Sequence, residues 1–324
     1  VPGDSIIFAD NFSDDQVGEL PAHWQLDQGQ GQVNAFDGEK VFICTEGANG
    51  DGTTLIEPRM KKKSGYMPKA FTVEFDMWID PGQYDGVRTG SVGLNFYGDE
   101  NNPDGPITDY DDWGLGIDEM NFYTHRISGA DEFDLPDNIK DDNFLSKWHH
   151  IAIAYRDGQM KIYVDQNRIY VVPQVVDTNF NKFGIRVTPK CYVTDIRIAE
   201  GGGMTMLQKK FTAAKIITHG ITFDLDKADI KPESMGTLNM IVGIMNNNPD
   251  LKFEIDGHTD NTGNEAHNMT LSQERADAVK AQLVKMGIDG SRLTTKGFGD
   301  TVPISDNSTP SGRANNRRVE LVRM

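Results

Sequence analysis

The residue types best suited to bind a small charged ligand lie in one segment near the C-terminus. Asp260 follows an alternating apolar and charged run that predicts a strand ending at Gly257. Arg275 lies in the next run, whose capping-box pattern and apolar spacing predict a helix from Thr270 to Gly287. We therefore expect a carboxylate on a loop and a guanidinium in the first turn of a helix to meet at one end of the fold. Such a pair can hold a zwitterion through charge-assisted hydrogen bonds.

The elements that must position this pair are predicted over residues 211–324. Strand patterns and apolar stripes of helical spacing alternate along this part of the chain. They predict an α+β domain of β-α-β-α-β-β order, and a sheet with its helices on one face is the economical arrangement. The predicted strands cover residues 211–217, 220–225, 251–256, 293–296 and 318–322, and the predicted helices begin near Pro232 and Thr270.

Several separate motifs in this region resemble one family of domains. They are the run GHTDNTG at 257–263, the block at 268–276, the run GFG at 297–299 and the block at 307–320. Their types and order resemble the OmpA-like peptidoglycan-binding domain. The resemblance implies non-covalent binding to peptidoglycan, in which Asp260 and Arg275 hold the free amino-acid end of diaminopimelate in the stem peptide.

The resemblance implies further pocket residues, which are Asp226, Thr259, Asn261, Asn268 and Leu271. Each is also interpretable as a turn, cap or packing residue, as Asp and Asn commonly are. For Asp260 and Arg275 the alternative is an ordinary surface ion pair, worth about 0–1 kcal/mol. Unpaired N–H groups near 271–275, at the predicted helix start, would favour a ligand carboxylate. Other arginines are expected to support the fold by pairing with acidic side chains, namely Arg313, Arg317 and Arg318.

Residues 5–200 show many short alternating segments separated by Gly, Asp, Asn and Pro. This pattern is typical of an all-β sandwich. The clearest unit is a hairpin formed by 148–155 and 159–165, because Asp157-Gly158 between alternating runs favours a tight turn. The region resembles laminin-G/concanavalin-A-like jelly rolls, which usually bind glycans or proteins. We expect this lectin-like domain over 1–200, a linker at 201–210 and the OmpA-like domain over 211–324.

An enzyme is the main alternative for the sandwich. Concanavalin-like glycosidases place Glu-x-Asp-x-x-Glu on one strand, so that two carboxylates flank the sugar bond. Glu74 and Asp76 begin this pattern, but Ile79 stands where the last carboxylate belongs. The sequence therefore predicts no catalytic residue and a strand with one buried face.

Charge and cysteine content exclude several other classes of function. Residues 201–324 contain 15 acidic and 15 basic residues, so the net charge of −17 comes entirely from residues 1–200. An acidic surface argues against nucleic-acid binding, which needs clustered cations. Two cysteines, Cys44 and Cys191, are too few for a disulfide framework but could pair after export.

No cofactor or metal site is predicted. Adjacent His149 and His150 point to opposite faces of a strand and cannot easily share an ion. His258 lies near Asp260 but has no recognisable Ser or Cys nucleophile beside it. The acidic segments 99–105 and 109–112 do not have the spacing of a calcium loop.

These expectations combine into one hypothesis of function. The chain is expected to be a periplasmic, outer-membrane-associated envelope protein that is tethered to peptidoglycan and presents a sandwich for a glycan or protein ligand. The alternatives are a wall-anchored glycan hydrolase and a structural scaffold acting through the acidic domain. No export signal is recognisable at Val1–Asp4, and whether a lipid anchor preceded Val1 is left open.

Overall fold

The computed structural model describes residues 3, 5–46, 52–63, 65–81, 90–97, 113–117, 121–125, 132–137, 139–140, 144–165, 167–175, 180–201 and 214–324. The chain forms two compact units, residues 10–198 and residues 1–9 together with 199–324. The predicted linker at 201–210 lies outside the described residues from residue 202 onward, so the predicted domain boundaries stay a prediction. The acidic segments 99–105 and 109–112 also lie outside the described residues.

The first unit is built from strands, as are residues 5–9, which belong to the second unit. The strands up to residue 200 are β1 Ser5–Asp10, β2 Trp24–Gln28, β3 Gln30–Phe36, β4 Glu39–Glu46, β5 Thr54–Pro58, β6 Ala70–Ile79, β7 Val92–Tyr97, β8 Trp113–Ile117, β9 Asn121–His125, β10 Glu132–Asp134, β11 His149–Arg156, β12 Gln159–Val164, β13 Asn167–Val172, β14 Lys182–Val187 and β15 Cys191–Glu200. One sheet has the order β13-β12-β11-β6-β15-β4-β3, and the other has the order β10-β9-β8-β7-β14-β5-β2.

The two sheets pack face to face as the predicted β-sandwich. Alternate residues of β11 are buried, as expected for strands that cover a core on one face. The ring of Phe71 on β6 lies 5.7 Å from the ring of Phe96 on β7, so the two sheets meet through aromatic side chains. The predicted hairpin is confirmed, since Arg156 pairs with Gln159 across the turn.

The second unit contains a four-stranded sheet with the order β16-β19-β17-β18, in which only β17 and β18 are parallel. The strands are β16 Lys215–Thr218, β17 Phe253–His258, β18 Leu293–Gly297 and β19 Arg318–Arg323. The helices are α1 Met235–Asn247, α2 Glu265–Lys285 and α3 Pro310–Asn316. Leu238 of α1 and Val279 of α2 share one core with Ile255 of β17, so these two helices cover the same face of the sheet.

Some local predictions for this unit were wrong, and one helix was not predicted. Helix α2 begins at Glu265 rather than Thr270, because Asn264 accepts the N–H groups of Ala266 and His267 and so caps the helix earlier. The predicted strand 220–225 forms only one isolated bridge, from Phe223 to Ile230. The chain also forms a short helix, α3, before the last strand.

Gly257 does not end β17 but lies within it, where the strand meets α2. A Cβ atom placed on Gly257 would lie 2.1 Å from the carbonyl oxygen of Ser272. Glycine therefore allows the backbones of strand and helix to approach closely.

Cys44 and Cys191 are buried thiols and form no disulfide. Cys44 Sγ lies 2.9 Å from the carbonyl oxygen of Gly52 and 3.1 Å from Thr54 Oγ1, which is hydrogen-bonding distance for a thiol. The predicted alternative of a pair is therefore not what the structure shows. Within the described part of the chain, every helix is too short or too polar to cross a bilayer.

Candidate functional site

Asp260 lies just beyond the end of β17, in a loop that fixes its carboxylate. The side chain is buried, with the residue 7% exposed. Its Oδ1 atom accepts the N–H of Thr262 at 2.8 Å, and its Oδ2 atom accepts Arg317 Nη1 at 2.6 Å. The Nδ2 group of Asn268 donates to the carbonyl oxygens of Asp260 and Thr262, which holds the loop against α2. The carboxylate is thus fixed before any ligand arrives.

The charge state of Asp260 follows from these contacts. Burial raises the pKa of Asp260, but the charge and hydrogen bond of Arg317, with the N–H of Thr262, outweigh burial and lower that pKa below its ordinary value. Asp260 is therefore an anion at neutral pH. An anion in this loop can receive a ligand ammonium.

Arg275 lies in the third turn of α2 and is half-buried. Its Nε donates to the carbonyl oxygen of Lys227 at 2.9 Å, and its Nη2 donates to that of Asp224 at 3.4 Å. The guanidinium carbon lies 4.9 Å from the centre of the Phe223 ring, in the range of a cation–π contact. Among the described residues, Nη1 makes no hydrogen bond, so it can donate to a ligand.

Asp260 and Arg275 do not form the ordinary surface ion pair considered from the sequence, since Asp260 is paired with Arg317. Burial and the charge of Arg317 lower the pKa of Arg275, whereas Asp226 and Asp260 raise it. Arg275 therefore lies within electrostatic range of Asp226, Asp260 and Arg317. The candidate site thus combines two carboxylates with two guanidinium groups.

The remaining predicted residues surround this cluster in different ways. Asp226 adopts a positive φ of 55° and accepts a hydrogen bond from the exposed His267 ring. Thr259 is buried, and its Oγ1 atom has no hydrogen-bond partner among the described residues. Asn261 is exposed, whereas Leu271 is buried on α2. Asn268 contacts the loop carbonyls rather than projecting freely.

The earlier start of α2 moves its unpaired backbone groups. The unpaired N–H groups belong to the turn beginning at Glu265, not to 271–275 as predicted. Asn264 already satisfies two of them. The helix dipole therefore contributes less beside Arg275 than the sequence predicted.

Arg317 and His267 are the site residues that the sequence did not assign. Arg317 was expected only to pair with some acidic side chain. Its position becomes clear when β19 is placed beside β17, since α3 and Arg317 then precede a strand adjacent to the Asp260 loop. His267 could have been found from the true cap at Asn264, which places His267 in the first turn of α2.

His258 and Asp256 occupy the sheet face opposite the helices, and their pKa values are shifted in opposite directions. His258 is 5% exposed, and neither ring nitrogen has a hydrogen-bond partner among the described residues. Burial, followed by the charge of Arg318, lowers the pKa of His258 from 6.5 to about 4. Burial, followed by the charges of Glu254 and Glu320, raises the pKa of Asp256 to about 6.

A pH titration of unfolding is expected to separate these two groups. Above pH 6.5 His258 is neutral in both states and does not reduce the free energy of unfolding. As the pH falls from 6.5 toward 4, the unfolded state takes up a proton that the folded state does not, so the free energy of unfolding falls. In His258→Asn the decrease in the free energy of unfolding between pH 6.5 and 4 should be smaller by up to about 3 kcal/mol. Asp256 has the opposite sign, since its contribution is present below its unfolded pKa and lost as the pH rises through 6. Asp256→Asn should therefore gain stability above pH 6, and parallel profiles for all three proteins would contradict both assignments.

A second candidate site lies on the outer face of the sandwich. We call Phe36, Trp78, Trp148 and Tyr192 the aromatic cluster. Phe36 and Tyr192 are stacked with ring centres 4.1 Å apart, and Trp78 lies edge-on to Phe36 at 5.2 Å. The rings of Trp78 and Trp148 lie 5.7 Å apart. All four side chains are partly exposed.

Two carboxylates hold the polar atoms of the aromatic cluster. Asp80 accepts hydrogen bonds from Trp78 Nε1 at 3.0 Å and from the hydroxyl of Tyr192 at 2.7 Å. Asp37 accepts a hydrogen bond from Trp148 Nε1 at 3.0 Å. Partly exposed rings beside fixed carboxylates combine apolar faces with hydrogen-bond acceptors.

The two carboxylates considered for glycan hydrolysis are paired with neighbouring basic side chains. Glu74 forms a salt bridge with Arg197, and Asp76 Oδ1 lies 2.6 Å from His150 Nδ1. Burial raises the pKa of Glu74, but Arg197 and His150 outweigh it and lower the pKa to about 2. Burial lowers the pKa of His150, but Asp76 and Glu74 raise it to about 10. Ile79 is fully buried.

The amino-acid sequence resembles known proteins mainly over the second unit. A model of the OmpA family matches residues 222–317. Outer membrane porin F of Pseudomonas fluorescens is 47% identical over 100 residues, which cover 31% of this chain and 31% of the porin. Peptidoglycan-binding protein ArfA of Mycobacterium tuberculosis is 42% identical over 112 residues, which cover 34% of each chain. The chain thus spans about a third of the length of these relatives.

A likeness to a solved structure covers a larger share of the chain. The carbohydrate-binding module CBM66 of Bacillus subtilis aligns with 55% of this chain and 96% of its own length. The sequence identity is 18% and the TM-score is 0.36. A likeness at this level carries no inference about the ligand.

Proposed function

Because residues 222–317 are an OmpA family domain, we propose that the chain anchors non-covalently to peptidoglycan by binding the diaminopimelate of stem peptides. The observation that carries the proposal is a fixed, ionised Asp260 near a half-buried Arg275 with one unused donor group. The name of ArfA as a peptidoglycan-binding protein supports the same class of ligand. A periplasmic, outer-membrane-associated location follows from this role.

The charges of the site match the free end of diaminopimelate. That end carries an ammonium and a carboxylate on one carbon, so it is a zwitterion. Asp260 receives the ammonium, and the Nη1 group of Arg275 donates to the carboxylate. Arg317 neutralises part of the Asp260 charge, which limits binding of simple cations. A ligand that offers both charges is therefore preferred to one that offers only an ammonium.

Sedimentation with purified sacculi tests the anchoring. The full chain is expected in the pellet with diaminopimelate-containing sacculi and mainly in the supernatant with sacculi that carry lysine at the same position. Lysine retains the ammonium but lacks the second carboxylate. Equal binding to both would contradict the assignment of diaminopimelate, and no binding to either would contradict anchoring itself.

For the sandwich, the aromatic cluster favours a glycan over a protein ligand. Sugar rings present C–H faces that pack on aromatic side chains and hydroxyl groups that donate to carboxylates. Asp37 and Asp80 lie at the edges of the rings and provide such acceptors. A hydrolase is disfavoured, because Glu74 is held as an anion by Arg197 and cannot act as a general acid at neutral pH.

Trp148→Ala is expected to weaken glycan binding by the sandwich. The substitution removes one ring of the aromatic cluster, and loss of one such stacking surface should weaken binding by about 10-fold or more. A glycan array probed with the full chain identifies the ligand, and titration of that glycan measures the loss. Leu26→Ala is the control, since Leu26 is an exposed apolar residue on the other sheet. A protein that co-purifies through Trp148, with no glycan bound, would favour the scaffold alternative.

A further inference from the structure

Three side chains converge in the segment between β1 and β2. Asp10 ends β1, Asp15 lies in the following loop, and His23 directly precedes β2. One ligand atom from each lies within 4.8 Å of the other two. His23 Nδ1 and Asp10 Oδ2 are 3.4 Å apart. Residues distant by up to 13 positions are thus brought to one point.

The hydrogen bonds of this group leave two atoms unused. Asp10 accepts the N–H of Phe12 with Oδ1 and the indole N–H of Trp24 with Oδ2. Asp15 is 7% exposed, and its Oδ1 accepts the N–H of Ala22 at 2.7 Å. Among the described residues, Asp15 Oδ2 and His23 Nδ1 are buried atoms with no hydrogen-bond partner.

A buried carboxylate oxygen without a partner is costly, and a second buried carboxylate nearby increases the cost. Lys40 does not offset this cost, because its Nζ donates to the carbonyl oxygens of Ser13 and Asp15 rather than to either carboxylate. Both unused atoms, Asp15 Oδ2 and His23 Nδ1, are of types that bind metal ions through a lone pair. A cation between the three side chains would satisfy them together.

We propose that Asp10, Asp15 and His23 form a site for a first-row divalent cation of the Zn²⁺ type, which fastens the start of the sandwich. One imidazole nitrogen with two carboxylates is a borderline donor set, whereas Ca²⁺ and Mg²⁺ take oxygen ligands. In a tetrahedral Zn²⁺ site with bonds of about 2.0–2.1 Å, neighbouring ligand atoms lie about 3.3 Å apart. The 3.4 Å separation of His23 Nδ1 and Asp10 Oδ2 fits that edge.

The bound cation joins the end of β1 to the start of β2. Trp24 follows His23 directly and is fully buried. Fixing both ends of the loop therefore also fixes an aromatic residue of the core. The expected role is structural, and binding should raise the melting temperature of the unit formed by residues 10–198.

The test uses the untagged full chain after removal of metals with EDTA. Equilibrium dialysis against Zn²⁺ should give one ion per chain that Asp15→Asn no longer retains. Asparagine keeps the oxygen that accepts the Ala22 N–H but lacks the charge for the ion. Saturating Zn²⁺ should raise the Tm of the wild type by about 5 °C or more and leave that of Asp15→Asn unchanged.

Two further variants keep the result interpretable. Asp14→Asn removes one charge from the exposed neighbouring residue and should bind as the wild type does. His23→Gln removes the nitrogen ligand from a side chain that is 38% exposed, so folding should survive, and affinity should fall at least 10-fold. Zinc bound by both Asp15→Asn and His23→Gln as tightly as by the wild type, or no zinc bound by the wild type, would overturn the proposal.

Discussion

Arg275→Ala is expected to weaken binding to diaminopimelate-containing sacculi by about 10- to 100-fold. A hydrogen bond from a guanidinium to a carboxylate contributes about 1.5–3 kcal/mol, which corresponds to that range. The fold should tolerate the change, because Lys227 is exposed and Asp224 is only partly buried, so water can replace the guanidinium at their carbonyl oxygens. Co-sedimentation across a series of sacculus concentrations measures the apparent affinity.

Matched variants separate the pocket from general charge effects. Lys285→Ala removes an exposed cation from the last turn of the same helix and should bind normally. Asp260→Asn should lose binding as Arg275→Ala does, while its side-chain oxygen can still accept the Thr262 N–H. If both pocket variants pellet as strongly as the wild type, the site lies elsewhere and only the assignment to the OmpA family domain survives.

Gly257→Ala is expected to destabilise the second unit by about 3 kcal/mol or more. The added methyl group would lie 2.1 Å from the carbonyl oxygen of Ser272 and 3.0 Å from its carbon, both of which are backbone atoms. Strand β17 and helix α2 must therefore move apart, and overpacking of this kind is costly. Since β17 leads to Asp260 and α2 carries Arg275, binding to sacculi should fall as well.

Denaturant unfolding measures this loss, with Gly236→Ala as the control. Gly236 lies in α1, and a Cβ atom there would have no neighbour within 4 Å. Alanine favours helix over glycine by about 1 kcal/mol, so this control should leave stability unchanged or increase it. Equal destabilisation by both substitutions would mean that close approach of strand and helix is not the cause.

The sequence predicts local structure best where side-chain alternation and turn chemistry agree. The hairpin around Asp157-Gly158 has both signals and is confirmed. The start of α2 was wrong because Thr270 and Gln273 mimic a capping box, whereas Thr270 Oγ1 instead donates to Ala266 O inside the helix. The real cap, Asn264, lies in a polar loop that offers no periodic pattern.

Contacts between distant parts of the chain could not be predicted from spacing. Arg317 reaches Asp260 across 57 positions, and this pairing depends on the order of strands in the sheet. The spacing of Asp10, Asp15 and His23 likewise matches no metal-site motif. These residues meet only because β1 ends at Asp10 and β2 begins directly after His23. Charge type is readable from sequence, but the partner of each charge is a property of topology.

The two buried thiols make transient opening of the sandwich measurable. Both cysteines of the chain lie in the sandwich, at positions 44 and 191, and neither is consumed by a disulfide. A thiol-specific reagent can reach them only when the surrounding strands open. Their labelling rate therefore reports transient opening of the sandwich alone, because residues 199–324 contain no cysteine.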